Sequence, residues 1–224
     1  MFISIEGADG VGKTTQAALL AEALGRQGYR VASFRDPGST SLGEALRELL
    51  LRRAEIPLGP MAEMLLYMAA RAQLVEEAIR PALDQGAIVI CDRYLLSNVV
   101  YQGYGCGLDV GRLWEIGQFI TRGLLPDLTI ILDLPEELAA DRRGPAGDRV
   151  ESRDKEFHRR IRNGFLAEAA KNPHNMVVVD SRVSAEAVHR TILNLIMAKM
   201  SERISARKLP SAEPPGKIFP PRQS

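Results

Sequence analysis

Apolar residues in this chain follow two alternating rhythms. Short unbroken runs give way to longer stretches in which apolar positions recur every three or four residues. The run FISI at 2–5 is followed at once by glycines, which predicts a buried strand entering a loop. Over 13–27, Ala17, Leu20, Ala21 and Leu24 recur at helical spacing, and Gly28 stops that helix. A second strand is expected at 29–34 (YRVASF). Pro37 and Gly38 then break the chain, and a helix follows over about 42–52. The longest helical pattern spans 62–83, with Leu65, Met68, Ala72, Val75 and Ile79 along one stripe. AIVIC at 87–91 and LTIILDL at 128–134 show no polar alternation, as expected of strands in a parallel sheet covered on both faces. Helices are expected over 109–122, about 154–170 and 185–200, with a last strand, MVVVD, at 176–180.

Strands alternating with helices predict an α/β fold of three layers, a five-stranded parallel sheet between two helical layers. Crossovers are taken as right-handed. One domain over 1–200 accommodates all of these elements. The stretch 201–224 differs, holding five of the thirteen prolines and losing apolar periodicity after its first few residues, which reads as a flexible Pro-rich tail.

Composition narrows the classes further. With 29 Lys or Arg against 28 Asp or Glu, the net charge of +1 argues against a general nucleic-acid binder. Cys91 and Cys106, the two cysteines, cannot make a disulfide framework, and Cys91 reads as inert core. His158, His174 and His189 lack metal-ligand spacing, and Trp114 reads as packing. No apolar run is long enough to span a membrane and no signal-peptide pattern opens the chain, so a cytoplasmic protein is expected.

The candidate chemistry begins at Gly7-Ala8-Asp9-Gly10-Val11-Gly12-Lys13-Thr14, followed by Thr15. It fits GxxxxGK[ST] at every fixed position, after a strand and before a helix. Glycines let backbone N–H groups turn toward anionic oxygens, and the helix N-terminus adds a favourable dipole. Lys13 can reach the outer phosphates of a nucleoside triphosphate, and the Thr14 hydroxyl can ligate Mg2+. Such loops serve switches, motors and kinases alike. A guanine-reading NKxD motif is missing from the chain.

A second constellation closes the third strand. Asp92-Arg93-Tyr94 emerge at the carboxyl edge, where open α/β sheets bind ligands, and Ser97, Asn98, Tyr101 and Gln102 follow. Upstream, Tyr67 and Arg71 share one face of the long helix, and an aromatic ring beside a guanidinium suits a planar, polar-edged ligand such as a nucleobase. From position alone Arg71 could instead be a surface residue paired with Glu76. Asp92 could support the fold or water-bridge to Mg2+.

Together, IEGADGVGKTTQ, FRDPGST, LLYMAAR, DRYLLSNVVYQGYG and DRVESRDKEFHRRIRNGF resemble the thymidylate kinase family over residues 1 to about 198. The resemblance implies strand order 2-3-1-4-5, a homodimer, and phosphoryl transfer from ATP to dTMP with Mg2+. It makes Lys13 the phosphate-bridging lysine and Arg93 the arginine holding the acceptor phosphate. Asp9 corresponds to the loop acid that binds the acceptor sugar hydroxyl. Tyr67 takes the place of the phenylalanine that stacks on thymine. Arg71 and Arg47 match arginines around base and acceptor phosphate, and Arg35 the arginine of the TREPGGT segment. Asn98 and Gln102 correspond to base-edge partners, with Ser97 beside them. Tyr101 matches the aromatic that crowds the ribose 2′ position. Asp36 stands where the family has glutamate, Ser39 where it has a second glycine, and Gly10 and Val11 where one class carries a loop arginine. Positive charge is then expected from a lid at about 142–153, with Arg142 or Arg149 as the acting residue. Two rivals are weighed against this reading. A deoxynucleoside kinase would need a general base for a neutral hydroxyl, and a nucleotide-dependent switch would hydrolyse slowly without an acceptor.

Overall fold

The computed structural model describes residues 1–53, 55–143, 149–150 and 153–208. Five parallel strands, β1 (Phe2–Glu6), β2 (Val31–Arg35), β3 (Ile88–Asp92), β4 (Leu128–Asp133) and β5 (Met176–Asp180), form one sheet in the order β2-β3-β1-β4-β5. β1 lies at the centre, with Ile3 opposite Ile90 of β3 and Leu128 of β4. Every residue of β1 and β3 is buried, which is why neither shows an alternating solvent-facing polar row. Ile3 and Ile5 pack with Leu20 and Leu24 of α1 (Lys13–Arg26) and with Ile192 and Ile196 of α9 (Ala185–Lys208). Phe2, Val89 and Cys91 pack with Met64, Met68 and Leu74 of α3 (Pro60–Leu74). The sheet therefore has a core on each face.

The remaining helices are α2 (Ser41–Leu51), α4 (Arg80–Asp84), α5 (Leu95–Asn98), α6 (Val110–Ile120), α7 (Glu136–Arg143) and α8 (Lys155–Lys171). α2, α6 and α8 begin on side-chain caps, where Thr40, Asp109 and Asp154 accept from Gly43 N, Arg112 N and Phe157 N.

Four details differ from the sequence pattern. The second strand starts at Val31, because the Tyr29 N–H is spent on the Leu24 carbonyl in closing α1. The helix expected over 62–83 is interrupted by a π-helical turn, Val75–Ile79, between α3 and α4. α5 and a π-helical segment, Val99–Gly105, occupy a stretch to which the pattern assigned no element, as does α7. The last helix continues past Met200 to Lys208, and 209–224, most of the expected tail, lie outside the described residues.

Because all strands run the same way, the loops after β1, β2 and β3 converge on one edge. The phosphate loop follows β1, Asp36 follows β2, and Arg93 follows β3.

Candidate functional site

The loop between β1 and α1 has the backbone that its glycines predict. Gly7 sits at φ 132°, and a Cβ there would lie 2.4 Å from the Leu132 carbonyl oxygen, so only glycine fits. Lys13 is buried and its Nζ donates to the Ala8 carbonyl at 2.6 Å. Burial lowers its ammonium to about 8, with Arg93 adding to that effect against the pull of Asp9. Thr14 and Thr15 are exposed at the mouth of an opening that Gly10, Gly12, Arg35, Arg47, Asp92 and Arg93 also line.

The Thr14 Oγ1 donates to Asp92 Oδ2 at 2.6 Å. A hydroxyl and a carboxylate at the loop exit are hard oxygen donors, and among the described residues no cluster of three or more His, Cys, Asp or Glu forms a metal cage. This set fits Mg2+, which keeps several waters and shares its coordination with phosphate oxygens.

Arg93 stands at the junction of two cavities. Its backbone is left-handed at φ 68°, an uncommon conformation for a side chain of its size. Its Nη1 donates to the Gly7 carbonyl and to Ser97 Oγ, both at 3.0 Å, and its Nη2 to Asp9 and to the Tyr101 hydroxyl. Tyr101 in turn donates to Asp9 Oδ2 at 2.7 Å, and the guanidinium lies over its ring at 5.1 Å. Burial alone would raise the Asp9 carboxyl. Arg93 and Lys13 overcome it and hold that group well below the usual carboxylate range.

The second cavity, about 80 Å3, is lined by Asp36, Arg47, Tyr67, Arg71, Asn98 and Gln102, and it shares Asp9, Arg93, Ser97 and Tyr101 with the junction. Arg71 is 1% exposed, so the surface alternative does not hold. Its Nε donates to Asp36 at 2.6 Å and its Nη1 to Asn98 Oδ1 at 2.9 Å, while Glu76 pairs with Arg122. Asn98 donates to Gln102, and Gln102 to the buried Glu63. Arg47 donates to the Pro37 carbonyl, and Arg35 pairs with Glu44 at the rim.

The lid arginines part company. Arg142 donates to the Ser181 carbonyl at 3.1 Å, beside an opening shared with Gly10, Gly12 and Thr15. Arg149 donates to the Ile56 carbonyl at 2.7 Å, and its neighbour Val150 lines the second cavity. Residues 144–148 and 151–152 of the expected lid lie outside the described residues.

Sequence reasoning brought the loop, Arg93, Tyr67 and Arg71 to one place but missed three acids. Asp36 stands out in the sequence only as a departure from the family's glutamate, yet it is the ion-pair partner of Arg71. Glu63 anchors Gln102. Glu6, fully buried, accepts from the Tyr94 N–H at 2.8 Å and from Ser97 Oγ at 2.6 Å. Its one signal was an acid placed directly between an apolar strand and the loop.

Comparison with known proteins identifies the family and the fold. A family model described as thymidylate kinase matches residues 5–192. A thymidylate kinase of Synechococcus sp. (strain JA-3-3Ab) is 48% identical over 200 residues, 89% of this chain and 97% of the relative. Another, from Caldanaerobacter subterraneus subsp. tengcongensis, is 44% identical over 196 residues, 87% of this chain and 94% of its own. The crystal structure of a thymidylate kinase from Ehrlichia chaffeensis superposes with a TM-score of 0.74 at 36% identity, covering 88% of this chain and 98% of that one.

Proposed function

The chain belongs to the thymidylate kinase family, and on that premise we propose which of its residues move the γ-phosphoryl group of ATP onto dTMP. As a dTMP kinase it forms dTDP and ADP, a step of nucleotide biosynthesis. The observation that carries the residue assignment is the pair of openings that meet at Asp9, Arg47 and Arg93. One is ringed by the phosphate loop, the other by an aromatic ring and a buried arginine.

In this reading the loop amides from Gly7 to Gly12 cradle the triphosphate, with Lys13 on its outer oxygens. Thr14, with Asp92 behind it, would hold Mg2+, whose charge when bound neutralises the phosphate oxygens. dTMP enters the second cavity with its base against Tyr67 and its edge toward Arg71, Asn98 and Gln102. Asp9 meets the sugar hydroxyl, and Tyr101 crowds the 2′ position. Arg47, Arg35 and Ser97 flank the acceptor phosphate, and Arg93 bridges it to the γ-phosphoryl group. An acceptor phosphate oxygen then bonds to the γ-phosphorus as the bond to the β-phosphate oxygen breaks and ADP leaves. The acceptor is already anionic, so no general base is required. Positioning and charge neutralisation supply the catalysis. Arg142, beside the loop, is placed to add positive charge there, and Arg149, docked on the Ile56 carbonyl, to add it near the acceptor cavity. Arg93→Ala should lower turnover by about two to three decades while leaving ATP affinity within about twofold. A coupled ADP-release assay with ATP titrations checks this, and near-normal turnover would remove Arg93 from the role. The same assay across nucleoside monophosphates tests the acceptor site, where a preference for AMP or CMP over dTMP would overturn the base-pocket reading.

A further inference from the structure

The carboxyl of Glu6 is used by no step above, although it lies at the back of the junction where both nucleotides meet. It is 0% exposed, and both its oxygens are engaged. One takes the N–H of Tyr94, the residue directly after the left-handed Arg93. The other takes the Ser97 hydroxyl at 2.6 Å, within the range of a charge-assisted O–H···O bond. A serine has one proton to give and two lone pairs to offer. With its proton committed to Glu6, Ser97 presents only lone pairs to the Arg93 Nη1 3.0 Å away.

We propose that Glu6 is a positioning residue for Arg93, fixing its backbone through the Tyr94 N–H and its guanidinium through the polarity of Ser97. The inference rests on the role assigned to Arg93 above. Protonation of Glu6 reverses the relay: the new O–H donates to Ser97, whose own proton then turns toward the guanidinium and opposes it. Burial raises this carboxyl to about 7, against the lowering influence of Ser97, Arg93, the Tyr94 N–H and Arg71, so the reversal falls near neutrality. The charged and titratable groups around it are Arg93 and Tyr94 after β3, Cys91 on β3, Arg71 on α3 and Lys13 at the start of α1. Glu168 and Lys171 of α8 line the far side of a cavity of about 230 Å3 that borders Glu6 behind the site. That cavity leaves room for an amide in place of the carboxyl.

Glu6→Gln tests this, because a Gln amide donates to Ser97 at every pH and so mimics the reversed state. The turnover ratio of parent to variant should be about tenfold at pH 8 and within about twofold at pH 6, with KM for ATP unchanged in both. Titrations common to both proteins cancel in the ratio. Ser97→Ala, which removes the hydroxyl that links Glu6 to Arg93, should flatten the acid side of the turnover profile in the same way. In an Arg93→Ala background the Glu6→Gln effect should vanish. A ratio independent of pH, or one that persists undiminished without Arg93, overturns the inference while leaving the Arg93 assignment standing. Near-normal turnover of Arg93→Ala alone overturns the assignment beneath it.

Discussion

At the scale of single residues, the legible part of the site is the part whose chemistry constrains residue type. Gly7 must be glycine because of the Leu132 carbonyl, and Lys13 and Thr14 are fixed by a phosphate-shaped loop. Glu6 carries no such mark, since a buried acid at a strand end has no periodicity, and what it does depends on residues about ninety positions away. Its burial has a consequence for stability as well as turnover. Burial raises the folded carboxyl to about 7 from its ordinary 4.5, the value it keeps in the unfolded chain, so between those values the unfolded chain releases a proton the folded chain keeps. Stability from this group is therefore full below about pH 4.5 and declines as pH rises to about 7. Glu6→Gln removes that slope. Urea unfolding should show the variant gaining on the parent by an amount on the order of a few kcal/mol between pH 5 and pH 8. A constant difference would place the Glu6 titration elsewhere. Tyr101 makes a second case, because its ring and its hydroxyl have separable tasks. Tyr101→Ala should relax discrimination against the ribose analogue of dTMP by about tenfold in kcat/KM, whereas Tyr101→Phe keeps the ring and the discrimination. Equal discrimination in all three proteins would show that the ring does not guard the 2′ position.

Elements were readable from the sequence where one face differs from the other, or where a run is short and wholly apolar. The AIVIC run of β3 met the second condition and α1 the first, while β1, β2 and β4 were readable despite Ser4, Ser33 and Thr129 because apolar residues still dominate runs bounded by turn residues. The segment over Leu95–Gly105 met neither, since it is buried on nearly all sides, includes Ser97, Asn98 and Gln102 among its buried residues, and passes into a π-helical turn. Its polar positions look like a loop until the Arg71 and Glu63 partners are in place. This segment also sets how closely α8 can approach. A Cβ at Gly164 would lie 2.7 Å from Tyr104 Cγ and 2.9 Å from its Cβ, atoms near the backbone that cannot swing away. Below them, the buried Glu168 accepts from Tyr104, Trp114 and Lys171 and ties α8 to the π-helical segment and α6. Trp114 is thus more than packing. Gly164→Ala should cost about 1–3 kcal/mol in urea unfolding through overpacking. Because the displaced segment carries Tyr101 and Gln102, KM for dTMP should rise more than KM for ATP. A variant as stable as its parent would mean that α8 can retreat without penalty.

For the molecule as a whole, periodicity yielded the α/β class and the number of strands but not their order. Nothing in a strand's own pattern names its neighbour, and 2-3-1-4-5 came from resemblance before the sheet displayed it. Quaternary structure is likewise silent in the pattern, yet the surface speaks to it. On α3, Met61 and Leu65 are 55% and 52% exposed, and on α6 Phe119 is 84% exposed. α3 and α6 pack against each other, and Ala62 and Ala69 keep the outer face of α3 low enough for close approach. The homodimer that the resemblance implies would be joined through these exposed side chains of α3 and α6. Sedimentation should then give a mass about twice 24.6 kDa, and Phe119→Glu or Leu65→Glu should halve it. The consequence for function follows from what the other side of α3 carries. Tyr67 and Arg71 reach the acceptor cavity from this helix, whereas the phosphate loop hangs from β1. Separating the copies should therefore raise KM for dTMP severalfold and leave KM for ATP nearly unchanged. A parent protein that sediments as a single copy at micromolar concentration would refute the shared face, and equal changes in both KM values would break its link to the acceptor site.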